Sequence, residues 1–164
     1  MKLLLLTLLS LTSFAVAAPV EKLSSFELTD QDAKPRSYRF PKSKVTVMTV
    51  ADNKGSDQLA PWIQRIYDRY ETHIDIDGVA DVSMIPKPFH DMFRAAFRRQ
   101  LTRSVMLDWG GEVVKQFDYE KGVPNIYVID RQGRIVARTS GGVTDAAMRE
   151  LTREIDRAMK GGWR

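Results

Sequence analysis

Residues 104–144, SVMLDWGGEVVKQFDYEKGVPNIYVIDRQGRIVARTSGGVT, decide the fold. Residues 125–129 are a continuous apolar run of strand length, and residues 130–133 bring polar turn formers ending in Gly133. Residues 134–139 then return with Ile135 and Ala137 on one face, so the pair reads as a β-hairpin with a glycine in its loop. Gly141 and Gly142 separate this hairpin from a final helix. Thr144 is placed to cap it, and Met148, Leu151, Ile155 and Met159 recur at helical spacing on one side. Upstream of the hairpin, residues 104–107 read as a short strand, 108–111 as a turn and 112–119 as a short helical segment.

Working outward toward the N-terminus, residues 89–102 form a periodic stretch. Phe89, Phe93 and Phe97 fall on one side with Ala96 and Leu101 beside them, which predicts a helix with its aromatics in the core. Pro86 and Pro88 end the element before it, a strand expected around residues 79–84, because proline can neither serve a central ladder nor continue a helix. Residues 59–70 predict an amphipathic helix through Leu59, Trp62, Ile63, Ile66 and Tyr70, starting near Pro61. Residues 51–58 are turn formers. Residues 44–50 carry Val45, Val47, Met48 and Val50, which suits a central strand covered on both faces. Residues 22–39 alternate around the polar cluster 30–34 and read as a leading hairpin. Strands and helices thus alternate between two terminal hairpins, which predicts an α/β domain with a mixed central sheet and helices on both faces.

Two of these stretches resemble a known family. SSFELTDQDAKPRSYRF, residues 24–40, is similar to the leading hairpin of the redoxin branch of the thioredoxin superfamily, which includes alkyl hydroperoxide reductase and thiol-specific antioxidant proteins. Residues 104–144 resemble its closing half, in the order Gly122, Val123, Pro124, strand, Asp130, turn with Gly133, strand, Gly141, helix. Among cysteine-less relatives, a small periplasmic group called YtfJ-like shares this layout. The resemblance implies a thioredoxin-like fold and a cis Val123–Pro124 bond facing the position of the catalytic cysteines. Those cysteines would follow the first central strand, within VTVMTVADNKGSDQLAPW, with Gly55 and Gln58 in their places.

No register supplies a thiol, because the chain has no cysteine. Thiol-disulfide exchange needs a thiolate, so that activity is excluded. Ser56 is the one hydroxyl in this loop, without a histidine near it in sequence to act as base. What the resemblance leaves is a degenerate active-site surface formed by Asp52, Lys54, Gly55, Ser56, Asp57, Gln58, Trp62, Val123 and Pro124. Such a surface is expected to bind an extended protein or peptide segment through main-chain groups beside Pro124. The competing expectation is an inert cap in which Asp57 supplies the anion at the helix start.

Composition narrows the function further. Residues 1–17 join Lys2 to an apolar run ending at Ala15 and Ala17, the pattern of a signal peptide cleaved after Ala17, which leaves residues 18–164 as the thioredoxin-like domain. No second apolar run follows, so no membrane span is expected after signal removal, and the partner is expected in the periplasm or outside the cell. Lysine and arginine total 25 against 21 acidic residues, with the signs interspersed, which argues against a nucleic-acid stripe. No metal and no cofactor is expected: cysteine is absent and the histidines are only His73 and His90. Asp75 and Asp77 lack a third ligand at a usable spacing and read as a surface turn. Arg94, Arg98, Arg99 and Arg103 read as a solvated helix face, and Trp109 as packing under the Pro124 loop. The expected function is a non-catalytic binding or accessory module; the alternative is a redox or peroxide-pathway enzyme acting through a bound cofactor or a partner's cysteines.

Overall fold

The structure, a computed structural model, describes residues 21–161. The expected signal peptide, residues 1–17, lies outside the described residues. Seven strands form one mixed sheet in the order β2-β1-β5-β4-β3-β6-β7. They are β1 (Phe26–Asp30), β2 (Pro35–Tyr38), β3 (Thr46–Ala51), β4 (Asp75–Asp81), β5 (Met106–Asp108), β6 (Asn125–Ile129) and β7 (Ile135–Ser140). β3, β4 and β5 run parallel, and the antiparallel hairpins β1-β2 and β6-β7 join them through β1 and β6, each antiparallel to its central neighbour, so the sheet is mixed as the alternation predicts.

Every residue of β3 is buried, because both of its faces are covered. Val47 faces α2 (Ala60–Tyr70) and α4 (Asp145–Met159), where Trp62, Ile66, Tyr70, Leu151 and Ile155 close the core. Met48 and Val50 face the opposite layer with Phe117, Tyr127 and Met106. That layer is covered by a 3₁₀ turn, Val114–Phe117, where the sequence predicted a short helical segment. The buried carboxylate of Asp108 organises the turn by accepting the main-chain NH groups of Gly111, Val113 and Val114 at 2.8–2.9 Å. Thr144 caps α4 as expected, its Oγ1 accepting the NH of Ala147 at 3.1 Å.

Three expectations are corrected here. β4 begins at Asp75 rather than near residue 79, and Asp75 and Asp77 are strand residues, not a surface turn. Asp75 pairs with Lys42 at 2.8 Å and Asp77 with Arg36 at 3.0 Å, while the Tyr38 hydroxyl also donates to Asp77. These partners offset the poor strand propensity of aspartate. Phe89, Phe93 and Phe97 are not core. α3 (His90–Gln100) has no fully buried residue, and Phe89 is 48% exposed. Trp109 packs against α3 instead of the Pro124 loop: His90 stacks on it at 3.8 Å, and Arg94 lies 5.6 Å from its ring centroid. Arg94 is accordingly no freely solvated charge, since its Nη1 donates to the carbonyl of Asp30 at 2.7 Å.

Candidate functional site

The site is built where β3 ends. Asp52 leaves the strand in an extended conformation and caps α1 (Asn53–Ser56), a single turn that the sequence reading took for loop. Its Oδ1 accepts the NH of Gly55 at 2.8 Å, and its Oδ2 accepts the NH of Gly122 at 2.9 Å. One carboxylate therefore satisfies the start of the helix and the loop that faces it. A charge-assisted bond of this kind is about twice as strong as a neutral one. The anion at this place is Asp52, not Asp57, which is exposed at the end of α1.

Three main-chain groups of the facing loop are taken up from within. Val123 offers its carbonyl to Asn125 Nδ2 at 2.9 Å, and Pro124 offers its own to the NH of Gly141 at 2.9 Å. The Gly122 NH is spent on Asp52, and proline has no NH. The Val123–Pro124 bond is trans, contrary to the family expectation; the cis bond among the described residues is Phe40–Pro41. The trans form is the ordinary preference of an X-Pro bond, and here the Asn125 amide and the contact with Gly55 hold the Val123 carbonyl in place.

Of the expected surface residues, the structure brings Asp52, Lys54, Gly55, Val123 and Pro124 together. Gly55 and Pro124 are buried. Trp62 is core: it is wholly buried, and its indole NH donates to the Gly141 carbonyl at 3.0 Å. Gln58 is exposed toward Gly142. Ser56 donates to the Asn53 carbonyl at 2.7 Å, while His73 and His90 are occupied elsewhere, on Tyr70 and Ile85 carbonyls. Ser56 thus has no base to activate it. Among the described residues no cluster of three His, Cys, Asp or Glu is placed to hold a metal, and no helix is long and apolar enough to cross a membrane.

The open space lies beside this loop, between α2 and α3. A cavity of about 530 Å³ runs under α3 and meets a second of about 480 Å³ at residues that line both, Asn53, Ser56, Ala80, Phe93 and Phe97. β4 explains the trough. Ile76, Gly78 and Ala80 face the helices, and after Ile76 the two that follow are too small to reach α3. Thr49 and Val105 complete the floor, with Leu59 and Ile63 of α2 on one wall and Phe93, Ala96 and Phe97 of α3 on the other. Such a volume with apolar walls and a few polar groups is typical of a small-molecule site.

The end of the trough nearest Asp52 is polar. Burial alone would raise the Asp81 carboxyl, but hydrogen bonds from Ser83 and Tyr119 and the charge of Lys121 hold it below its ordinary range. Burial first, and then Asp81, push the Tyr119 phenol well above its ordinary value. Lys54 and Lys121 line the same end, and neither is in an ion pair among the described residues. At the other end Arg103 lies 4.3 Å from the ring centroid of Tyr67, and its carbonyl accepts Gln31 Nε2 at 3.0 Å. Sequence reasoning missed the trough because it assigned Phe93 and Phe97 to the core. The paired small residues Gly78 and Ala80 on one strand face were the signal that could have found it.

No protein-family profile matches the chain, and no curated protein matches it by sequence. Solved structures do. The exposed lipoprotein thioredoxin Etrx1 of Streptococcus pneumoniae aligns with a TM-score of 0.64 at 18% identity, covering 80% of this chain and 99% of its own. A thiol:disulfide interchange protein of the thioredoxin family from Chlorobium tepidum aligns at 0.57 and 18%, covering 87% and 98%. A thiol-disulfide oxidoreductase from Bacteroides fragilis aligns at 0.58 and 15%, covering 82% and 98%. The chain therefore has a thioredoxin-like fold, α/β with a mixed sheet, and it carries that fold without a cysteine.

Proposed function

We propose that this protein is an exported, non-catalytic binding module, in which a thioredoxin-like scaffold keeps its shape while its own residues fill the place of thiol chemistry. The observation that carries the reading is Asp52. Its carboxylate takes up the Gly55 and Gly122 amides together, so the helix-start amide that would favour a thiolate is already occupied by an internal anion.

The recognition surface in this reading is the trough rather than the main chain beside Pro124. An extended peptide docking there would pair with main-chain NH and carbonyl groups, and the Gly122 NH and the Val123 and Pro124 carbonyls are already bonded internally. Asp52, Lys54, Ser56 and Asp57 of the expected surface remain part of the proposed site, because they line the trough. Export rests on residues 1–17, and kinship with the redoxin branch and the YtfJ-like group on residues 24–40 and 104–144. The description of one neighbour as an exposed lipoprotein agrees with a place outside the cytoplasm.

The alternative, a redox or peroxide-pathway enzyme using a bound cofactor or a partner's cysteines, draws on the oxidoreductase names of the neighbours. Hydrogen peroxide consumption and insulin-disulfide reduction by the purified protein, with and without added thioredoxin, separate the two. The expected result is no rate above the blank in either assay. Turnover in either one overturns the binding-module reading.

A further inference from the structure

The trough between α2 and α3 has the shape and chemistry of an acyl-chain site. We propose that it binds a single-chain anionic amphiphile, with the alkyl chain lying along Phe93 and Phe97 and the head group at Lys54 and Lys121. The inference rests on the reading of the protein as a binding module and names the class of ligand.

Three observations carry it. The first is the floor. Gly78 and Ala80 leave a channel along the strand direction, and Val79 and Ala80 of β4 are paired with β3 on one side and β5 on the other. At Val79 and Ala80 no main-chain edge is therefore presented to the channel. A peptide lying over that stretch would bury NH and CO groups without strand partners, whereas an alkyl chain has none to satisfy.

The second is the uncovered apolar surface. Met84 lines the cavity nearest the lysines and is 84% exposed, while Phe93 and Phe97 are only partly covered. A chain lying between them removes this apolar surface from water, which favours binding.

The third is the balance of donors and acceptors at the polar end. Asp52 and Asp81 also line it and carry negative charge, and Lys121 acts on Asp81 through space, but the hydrogen-bonding positions of both carboxylates are taken by other donors. Asp52 accepts from the Gly55 and Gly122 amides, and Asp81 from the NH and hydroxyl of Ser83 and from Tyr119. The side-chain ammonium groups of Lys54 and Lys121 have no hydrogen-bond or ion-pair partner among the described residues, and an acceptor-rich, negatively charged head would supply one. A carboxylate and a phosphate diester share that chemistry, so a free fatty acid and a lysophospholipid are two sources of one ligand type.

Isothermal titration of the purified protein with dodecanoate, with lauroyl lysophosphatidylglycerol and with dodecyltrimethylammonium, each below micelle formation, tests the proposal. One-to-one binding of at least one anion is expected, with the cation weaker by about tenfold or more; whichever anion binds more tightly identifies the source. Ala96→Phe, which fills the trough from α3, should weaken anion binding by about tenfold while circular dichroism shows the fold intact. Lys54→Glu with Lys121→Glu should abolish the preference for anions without touching the channel. Absence of binding to all three amphiphiles, or anion binding unchanged in both variants, overturns the proposal. If the amphiphiles fail while the peroxide and insulin assays stay silent, the ligand class is wrong and the binding-module reading stands; turnover in those assays removes that reading whatever the titrations give.

Discussion

The carbonyl oxygen of Val123 occupies the space where a side chain on residue 55 would begin: a Cβ built on Gly55 would stand 2.4 Å from it. The neighbours are backbone atoms of a loop that Asp52, Asn125 and Gly141 hold in place, so they cannot swing aside as a flexible side chain would. A side chain at residue 55 is thus excluded by packing.

Placing thiols at positions 55 and 58, where the resemblance puts them, should therefore not confer disulfide reduction. In the Gly55→Cys, Gln58→Cys double variant, the first substitution must displace the Val123 carbonyl, and overpacking of this kind costs about 1–3 kcal/mol. Urea denaturation is expected to show that loss, and the insulin assay no reduction of disulfides. A variant as stable as the parent that reduces insulin would show that the loop yields freely.

The two phenylalanine sets should separate in stability. Phe117 is wholly buried against Tyr127, their ring centroids 5.0 Å apart, and Phe117→Ala should cost about 3–5 kcal/mol. Phe97 borders the trough, so Phe97→Ala should cost less than about 1 kcal/mol. Equal losses in chemical denaturation would return Phe97 to the core.

Acid should act through Asp30. Burial raises this carboxyl, but the amides of Lys34 and Asp32, the Ser104 hydroxyl and the charge of Arg36 together prevail and hold it below its ordinary 3.8. The folded state then releases this proton more readily than the unfolded chain does. The resulting stability is present above 3.8 and is lost as pH falls through the folded value. Denaturant midpoints measured down through this range should fall, and the fall should be shallower in Asp30→Asn. A carboxyl NMR titration placing Asp30 above 3.8 would contradict the assignment.

Much of the architecture was legible because it is written in local periodicity. The apolar run at Ile126 to Ile129, the turn closing on Gly133 and the cap at Thr144 each show within a few residues, and each is found where expected. β4 was displaced because Asp75 and Asp77 read as turn formers, and the partners that hold them in a strand, Lys42, Arg36 and Tyr38, come from elsewhere in the chain. The candidate site was legible by half. The sequence places Asp52 on the surface but assigns the anion at the helix start to Asp57 instead, and the second bond of Asp52 reaches Gly122, a partner 70 residues away that no local pattern announces. Likewise Phe93 and Phe97 declare a helix. What that helix faces depends on Gly78 and Ala80 in a different element, and only their meeting in space makes a trough.

α3 is fastened at its two ends by His90 and Arg94 on one side and the residues around Arg103 on the other, with no fully buried side chain between. The heat-capacity change of unfolding scales with apolar surface exposed, at about 0.45 cal/K/mol per Å². Detaching α3 alone exposes little such surface, so it contributes little curvature to the stability curve. The sheet and its two buried layers set nearly all of it. Cooling weakens burial more than it weakens polar fastenings, so the molecule divides into a framework whose cohesion depends strongly on temperature and a strut whose attachment hardly does.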